Sequence, residues 1–327
     1  MTQAYKTLSD LIRNSQSFIV TSHIDPDGDA IGCALAMFSV LKRLNKTVKV
    51  LSEDGVPPSY TFLEGASEVL TSRADPCDVA VVVDSGGLDR TGWVGEVVKQ
   101  CRTVVNIDHH MSNTYFGDIN IVDMSAGACG EIVYKVLDEL GAGLVKSEAE
   151  ALYVAILSDT GCFRFPSTTA GTLKIAAHLL DLGVRPYHAA SEIYWKKSLA
   201  SLKILGNTLS SIEVTDDGKI AMMQVTRDMY RAAGASAVDT EGLANYPRSI
   251  NGVAVGVFLR ETSEGCFRVS LRAAEGYDVD AVAKVFGGGG HAAAAGFRIE
   301  GDLESVKAKV RQSIYSHLKH RDLSANS

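Results

Sequence analysis

Carboxylates and imidazoles gather in four short segments of this chain: His23-Ile24-Asp25-Pro26-Asp27-Gly28-Asp29, Asp84, Asp108-His109-His110 and Asp159. No Lys or Arg interrupts 23–29, 84–87 or 108–110. Several carboxylates brought into one partly buried crevice repel each other and lose hydration, so they must bind cations or protonate. Divalent metal answers both needs. Oxygen-rich ligation with one imidazole per ion suits Mn²⁺ or Mg²⁺, with Mn²⁺ favoured because imidazole is the softer ligand, and zinc stays open.

Each fragment alone has an ordinary explanation. Asp-Pro-Asp-Gly-Asp reads as a turn leading into a helix cap. A calcium-loop reading fails, because the bidentate Glu required six residues after the glycine is Ala34. Asp84 alone is a strand-end turn residue, and a single His-His pair is more often structural. Asp123, which ends the strand-like run Ile119–Val122, is read as a turn or cap. The joint occurrence of all four segments, each at the end of a strand or helix pattern, favours a dinuclear metal site.

The elements that must deliver these residues are legible as periodicities. Ser17–Ser22, Lys46–Leu51, Val79–Val83 and Thr103–Ile107 read as strands, and the continuous apolar run at 79–83 suits a parallel strand covered on both faces. Helical patterns occupy Ala30–Leu44, Gly130–Leu140, Glu148–Leu157 and Thr172–Leu182, with Gly141 and Gly183 as stop signals. Alternating strand and helix argues for an open, mainly parallel α/β sheet, whose strand carboxyl ends bind ligands. After about residue 195 the pattern changes. A helix at Leu199–Ser211 leads to strands at Ser211–Thr215 and Lys219–Val225, joined by the turn Asp216-Asp217-Gly218. Strands Val253–Arg260 and Phe267–Ala273, a short helix, a glycine run and a closing helix near Leu303–Lys319 complete a smaller α+β domain. The expected boundaries are a catalytic domain at 1–192, a helical linker at 193–210 and a second domain at 211–327.

Length and composition agree. At about 150 residues per domain, 327 residues predict two domains. With 46% hydrophobic and 22% charged residues, the chain has material for two cores and is no disordered or low-complexity sequence. The net charge of −7 excludes a long electrostatic grip on a nucleic-acid backbone, yet allows one short phosphorylated substrate. No apolar stretch reaches the roughly 18 residues of a membrane span, and residues 1–14 lack a signal-peptide core. Six cysteines at 33, 77, 101, 129, 162 and 266 contain no Cys-x-x-Cys pair, so a zinc–cysteine site and a disulfide framework are not expected. They read as reduced thiols of a cytoplasmic protein.

Taken in order, the motifs resemble the DHH phosphoesterase superfamily: HxxPDGDAxG at His23–Gly32, VVVDSG at Val81–Gly86, NIDHH at Asn106–His110 and LSDTGxFRF at Leu157–Phe165. In the second domain, Phe286-Gly-Gly-Gly-Gly-His291 followed by Ala292–Gly296 is similar to the glycine–histidine signature of the DHHA1 module. The two-domain layout is most similar to the oligoribonuclease and pAp phosphatase (nanoRNase) branch. The resemblance implies a site in the cleft between the domains. It implies one metal held by His23, Asp27 and Asp84, and a second held by Asp29, Asp84, His109 and Asp159. Asp108 would orient a ligand and His110 would face the scissile phosphate. Two Mn²⁺ ions (Mg²⁺ as the alternative) would activate a bridging water.

The glycines at 288, 289 and 290 are expected to let backbone N–H groups approach an anion as a nest, with His291 beside them. Arg272 and Arg260 on neighbouring strand patterns, and Arg164 after Asp159, are the candidate phosphate and base contacts. The resemblance implies short single-stranded RNA and pAp as substrates. Alternatives on the same metal site are exopolyphosphatase or pyrophosphatase activity and a cyclic or linear dinucleotide phosphodiesterase. A non-catalytic nucleotide-binding protein is the alternative of a different class. No membrane partner is expected, and the sequence leaves oligomeric state, a homodimer included, open.

Overall fold

The apolar runs that read as strands do become neighbours in one sheet. The computed structural model describes residues 2–240 and 242–324 and divides into two units, Met1–Lys196 and Lys197–Ser327. In the first unit, α1 (Thr2–Asn14) precedes β1 (Ser17–Thr21), α2 (Gly28–Arg43), β2 (Thr47–Leu51), β3 (Val69–Leu70), β4 (Val79–Val83), α3 (Val94–Val98), β5 (Thr103–Asp108) and β6 (Ile119–Val122). Helices α4 (Cys129–Leu140), α5 (Lys146–Asp159), α6 (Ala170–Asp181) and α7 (Pro186–Ala190) follow. The sheet order is β3-β2-β1-β4-β5-β6 and every pairing is parallel. Its order reverses between β1 and β4, and such a switch point opens a crevice at the strands' carboxyl ends.

Burial on both faces explains the unbroken valines. Val79, Val81 and Val83 of β4 join the core formed with α1, α2, α4 and α5, while Ala80 and Val82 face a smaller core made with α3. Side-chain alternation along one strand therefore serves two cores. Asp123 behaves as expected. Its carboxylate accepts from the amide and hydroxyl of Ser125, closing a turn after β6.

The second unit carries α8 (Leu199–Ser210), β7 (Glu213–Val214), β8 (Ile220–Val225), α9 (Arg227–Ala233), β9 (Val255–Ser263), β10 (Cys266–Ala273), α10 (Val279–Val285), β11 (Gly289–His291), β12 (Ala294–Glu300) and α11 (Leu303–Ser324). Its sheet order is β11-β12-β10-β9-β8-β7, antiparallel except for β8 with β9. The stretch 193–210, expected as a linker, contains α8. That helix packs into the second unit through Ile204, which shares a core with Met223, Val225 and Phe258. The end of the glycine run is an edge strand rather than a loop. No helix among the described residues is long and apolar enough to cross a membrane.

Close approach of α2 to α5 matters most for the site, since α2 bears Asp29 and α5 ends in Asp159. Gly32 makes it feasible: a Cβ there would lie 2.3 Å from the Ala151 carbonyl oxygen and 2.9 Å from the Ala155 Cβ. Gly32→Ala thus pits better helix propensity against overpacking of about 1–3 kcal/mol. Overpacking should win, lowering the melting temperature by about 3–10 °C in calorimetry. An unchanged or higher melting temperature would show that the helices separate at no cost.

Candidate metal centre

Three strand ends and one helix end converge on a group of carboxylates. After β1 the chain turns through His23–Asp27, and Asp27 caps α2 by accepting the amides of Asp29 (2.9 Å) and Ala30 (3.1 Å). Its sequence reading as a helix cap is therefore right, and the same carboxylate also serves the cluster. Asp29 follows in the first turn and is fully buried. Its two oxygens accept the Cys129 and Gly130 amides at 2.6 and 2.9 Å, which opens α4. A carboxylate at a helix N-terminus gains from those unpaired amides and from the helix dipole.

Asp84 stands at the end of β4 with φ of 52°, a left-handed conformation that costs a non-glycine residue energy. One oxygen, Oδ2, lies 3.5 Å from His23 Nε2, and the other, Oδ1, lies 3.5 Å from His109 Nε2. His109 Nε2 is also 3.4 Å from Asp159 Oδ2 and 4.0 Å from Asp29 Oδ2. Both imidazoles are aimed by their other nitrogen. His23 Nδ1 meets the Ile24 carbonyl at 2.7 Å and His109 Nδ1 meets the Ala126 carbonyl at 3.2 Å. A carbonyl accepts only from N–H, so the proton sits on Nδ1 of the neutral ring and the Nε2 lone pair faces the carboxylates.

These atoms form three overlapping donor groups, each with ligand atoms within 4.8 Å of one another: His23, Asp27 and Asp84; Asp29, His109 and Asp159; and Asp84, His109 and His110. All six residues expected as metal ligands are brought together. The donor chemistry fits divalent cations on three observations. Asp84 Oδ1 is buried yet makes no hydrogen bond. Asp29, Asp84 and Asp159 find only histidines as ion-pair partners among the described residues. Finally, the crowded carboxylates hold protons unusually well. Burial, and then the charge of Asp84, push Asp27 and Asp29 up. Asp159 rises to about 7, by burial first and then by the charges of Asp84 and Asp27, against the opposing pull of His109. Burial opposes a charged His23, but the hydrogen bond and charge of Asp84 outweigh it and raise the ring to about 9. Asp84 itself falls to about 2 because the histidines overcome its burial.

Asp108 and His110 form a separate arm. His110 Nδ1 lies 2.7 Å from Asp108 Oδ1, and the ring meets that of His109 edge-on with centroids 5.0 Å apart. Asp108 is fully buried, and its second oxygen accepts from Asn113 Nδ2 at 2.6 Å. Asn113 Nδ2 also reaches Asn106 Oδ1 at 2.7 Å, and Asn106 Nδ2 donates to the Ser85 carbonyl at 3.1 Å. The turn after β4 is thereby tied to the loop after β5. Sequence reading missed Asn106 and Asn113. Asn106 carried a signal, standing two residues before Asp108 on the same strand face, whereas Asn113 is joined only by the loop's path.

The remaining expected residues lie elsewhere. Exposed Arg164 donates from Nε to its own loop at the Gly161 carbonyl, 2.6 Å away. In the second unit, Arg272 and His291 both pair with Ala294, so they share one row of the sheet, two strands apart. Arg272 Nε donates to Asn245 Oδ1 at 3.0 Å, and burial lowers its pKa. Arg260 pairs with Arg268 further along the sheet. The nest of open glycine amides is not formed. The Gly287 and Gly288 amides donate to the Lys284 and Ala283 carbonyls, and the Gly290 amide to Asp280 Oδ1 at 2.9 Å. Glycine is required here for another reason: a Cβ on Gly288 would lie 2.2 Å from the Gly296 carbonyl oxygen.

Comparison with known proteins agrees with the geometry. The DHH family N-terminal domain matches residues 17–156 and the DHHA1 domain matches residues 217–316. A Thermus thermophilus protein named bifunctional oligoribonuclease and PAP phosphatase NrnA is 33% identical over 91% of this chain and 89% of its own length. The chain belongs to the DHH/DHHA1 phosphoesterase family. A Bacillus subtilis protein of the same name is 27% identical over 91% of this chain and 98% of its own. The crystal structure of an exopolyphosphatase-related protein from Bacteroides fragilis superposes with a TM-score of 0.92 at 26% identity, covering 97% of this chain and 96% of that one.

Two measurements test the centre. In metal-free protein at pH 7, His23 is protonated and Asp159 about half protonated, so a divalent cation must displace protons to bind. Affinity should rise as pH increases from 6 to 8, with about one proton or more released per chain at pH 7. Titration calorimetry in buffers of differing ionisation heat reads this, and zero release would refute the cluster's protonation. Asn113→Ala leaves buried Asp108 and Asn106 oxygens unpaired at a cost of about 1–3 kcal/mol. A melting temperature lowered by less than about 1 °C would remove the network from the fold's support.

Proposed function

We propose that this chain is a hydrolase that cleaves short oligoribonucleotides to mononucleotides and removes the 3′-phosphate of pAp. The observation that carries the reading is the sharing of Asp84 between the donor group of His23 and Asp27 and that of His109. A carboxylate with its two oxygens turned to two donor sets suits two cations held side by side, the arrangement used for in-line displacement at phosphorus. Family membership and the names of two relatives spanning nearly the whole chain support the substrate class.

In this reading His23, Asp27 and Asp84 hold one ion, and Asp29, Asp84, His109 and Asp159 hold the other. Mn²⁺ is the preferred ion, since each set mixes imidazole with carboxylates. When bound, the pair supplies Lewis-acid polarisation of a phosphoryl oxygen and of water. The protein's own groups do the rest. Asp29 is held rigid by the opening amides of α4, and Asp84 by its strand-end turn. Asp108 fixes His110 through Nδ1, and its hydrogen bond and the charge of Asp84 raise the ring's pKa against its burial. That favours the imidazolium form, in which His110 would offer a proton from Nε2 to a phosphate oxygen or a leaving group. Arg272, Arg260 and His291 in the second unit, with Arg164 in the first, are the proposed substrate contacts, and the Gly288–Gly290 backbone serves to position His291.

The test offers metal-stripped protein, restored with Mn²⁺, a 5′-labelled RNA dinucleotide, pAp, linear di-GMP and polyphosphate in parallel. Mononucleotides from the dinucleotide and AMP from pAp are expected, and turnover of polyphosphate alone would overturn the substrate assignment. Asp84→Asn keeps the shape and tolerates the left-handed backbone. It should lose about a thousandfold or more in turnover with an unchanged circular dichroism spectrum. Activity retained within tenfold would refute the shared-carboxylate mechanism.

A further inference from the structure

Two cysteines face each other at the end of the sheet remote from the metal centre. Cys77 precedes β4 by two residues and Cys101 precedes β5 by two. Val79 and Thr103 are the first paired residues of the two strands, so the cysteines lie just ahead of that pairing. The Arg102 amide donates to the Cys77 carbonyl at 3.2 Å and the Thr103 amide to the Asp78 carbonyl at 3.0 Å. Their sulfurs are 3.5 Å apart and both thiols are free. Two thiols held this close on neighbouring segments are placed to form a disulfide.

The surroundings distinguish the two sulfurs. The Cys77 amide points at Cys101 Sγ, 3.4 Å away, whereas the Cys77 thiol also lies 3.1 Å from the Val79 carbonyl oxygen. The hydrogen bond from the Cys77 thiol, helped by that amide, lowers Cys101 to about 7 despite its burial, and the same bond raises Cys77. Cys77 is half-buried, so the pair sits at the edge of its core rather than deep in it. Cys33 and Cys129 differ, being wholly buried with thiols turned to Asp29 and to the Ile107 carbonyl.

We propose that Cys77 and Cys101 are a dithiol site that hydrogen peroxide closes to an intramolecular disulfide. The Cys101 thiolate attacks one peroxide oxygen, the O–O bond breaks, and hydroxide leaves with a sulfenic acid formed on Cys101. The Cys77 sulfur then attacks that sulfur and its proton departs with the hydroxyl as water. Two thiols are oxidised and one peroxide is reduced to two waters. The bridge encloses 77–101, the segment carrying β4, Asp84 and α3.

Reduced protein is treated with a small excess of hydrogen peroxide, remaining thiols are alkylated, and peptides are mapped without reductant. A linked Cys77–Cys101 peptide about 2 Da lighter than its reduced halves is expected. It should form about tenfold faster than Cys266 is lost and be reversed by dithiothreitol. The oxidised protein should melt about 5–10 °C higher. Cys77→Ser should leave a Cys101 sulfenic acid that dimedone traps, and Cys101→Ser should leave Cys77 slow to react. Sulfinic acid at Cys101 in the parent, a lowered melting temperature, or both thiols still alkylatable once Cys266 has been oxidised would each overturn the proposal.

Discussion

Mutual repulsion among Asp27, Asp29, Asp84 and Asp159 is the constraint that orders this molecule's first unit. Four carboxylates crowded together, with Asp29 and Asp84 buried, destabilise a fold unless something compensates. The compensation is layered. Backbone amides at the start of α4 serve Asp29, amides in the first turn of α2 serve Asp27, and three imidazoles surround Asp84. What the protein leaves uncompensated, an unpaired Asp84 oxygen and protons retained on Asp159, marks where cations belong. A site built only for stability would have used an arginine or lysine there.

The strand order supplies the crevice and the helices close it. Because β1 and β4 are neighbours whose connections run to opposite sides, their carboxyl ends are free of a crossing loop, and His23 and Asp84 emerge side by side. Strained backbone is concentrated in the same place. Asp25 and Asp84 have positive φ, as do Cys162 and Phe163 just after Asp159. Such conformations persist only where neighbours over-determine them. For Asp84 those neighbours include the Ile107 carbonyl, which accepts its amide at 2.9 Å.

Much of this was legible in the chain itself. The strands 79–83 and 119–122 are bounded to the residue, the former because five apolar residues, mostly valine, leave little ambiguity. The other strands read from the sequence differ by one residue or a few at their ends, and β3, β11 and β12 carry no legible pattern. Helices begin earlier than periodicity suggests. In α2 the start lies at Gly28, since the cap is Asp27, a residue read first for its chemistry. All six expected ligands meet because strand ends are predictable from where apolar runs stop. The asparagine network was invisible for the converse reason. Asn113 reaches Asp108 through a loop whose path no periodicity encodes. The glycine run misled in a third way. Composition reports conformational freedom, but not whether that freedom serves an open nest or a tightly packed edge hairpin.

That last distinction changes how the second unit can recognise phosphate. With the Gly287, Gly288 and Gly290 amides already donating within the fold, the anion contacts of the proposed function would come largely from side chains that the hairpin positions. Register puts His291 and Arg272 in one row with Ala294 between them, and the side chains of directly paired residues leave the sheet on the same face. A small residue between two long ones leaves a floor over which the imidazole and the guanidinium can act on one ligand. Arg272 strengthens the case. Asn245 holds its Nε, no carboxylate among the described residues pairs with it, and burial already costs its charge some solvation. A guanidinium kept in that condition binds an anion with less water to displace, and its planar fork matches a phosphate's paired oxygens. The glycines matter because they let the histidine strand lie close to β12, and so set the spacing of the row.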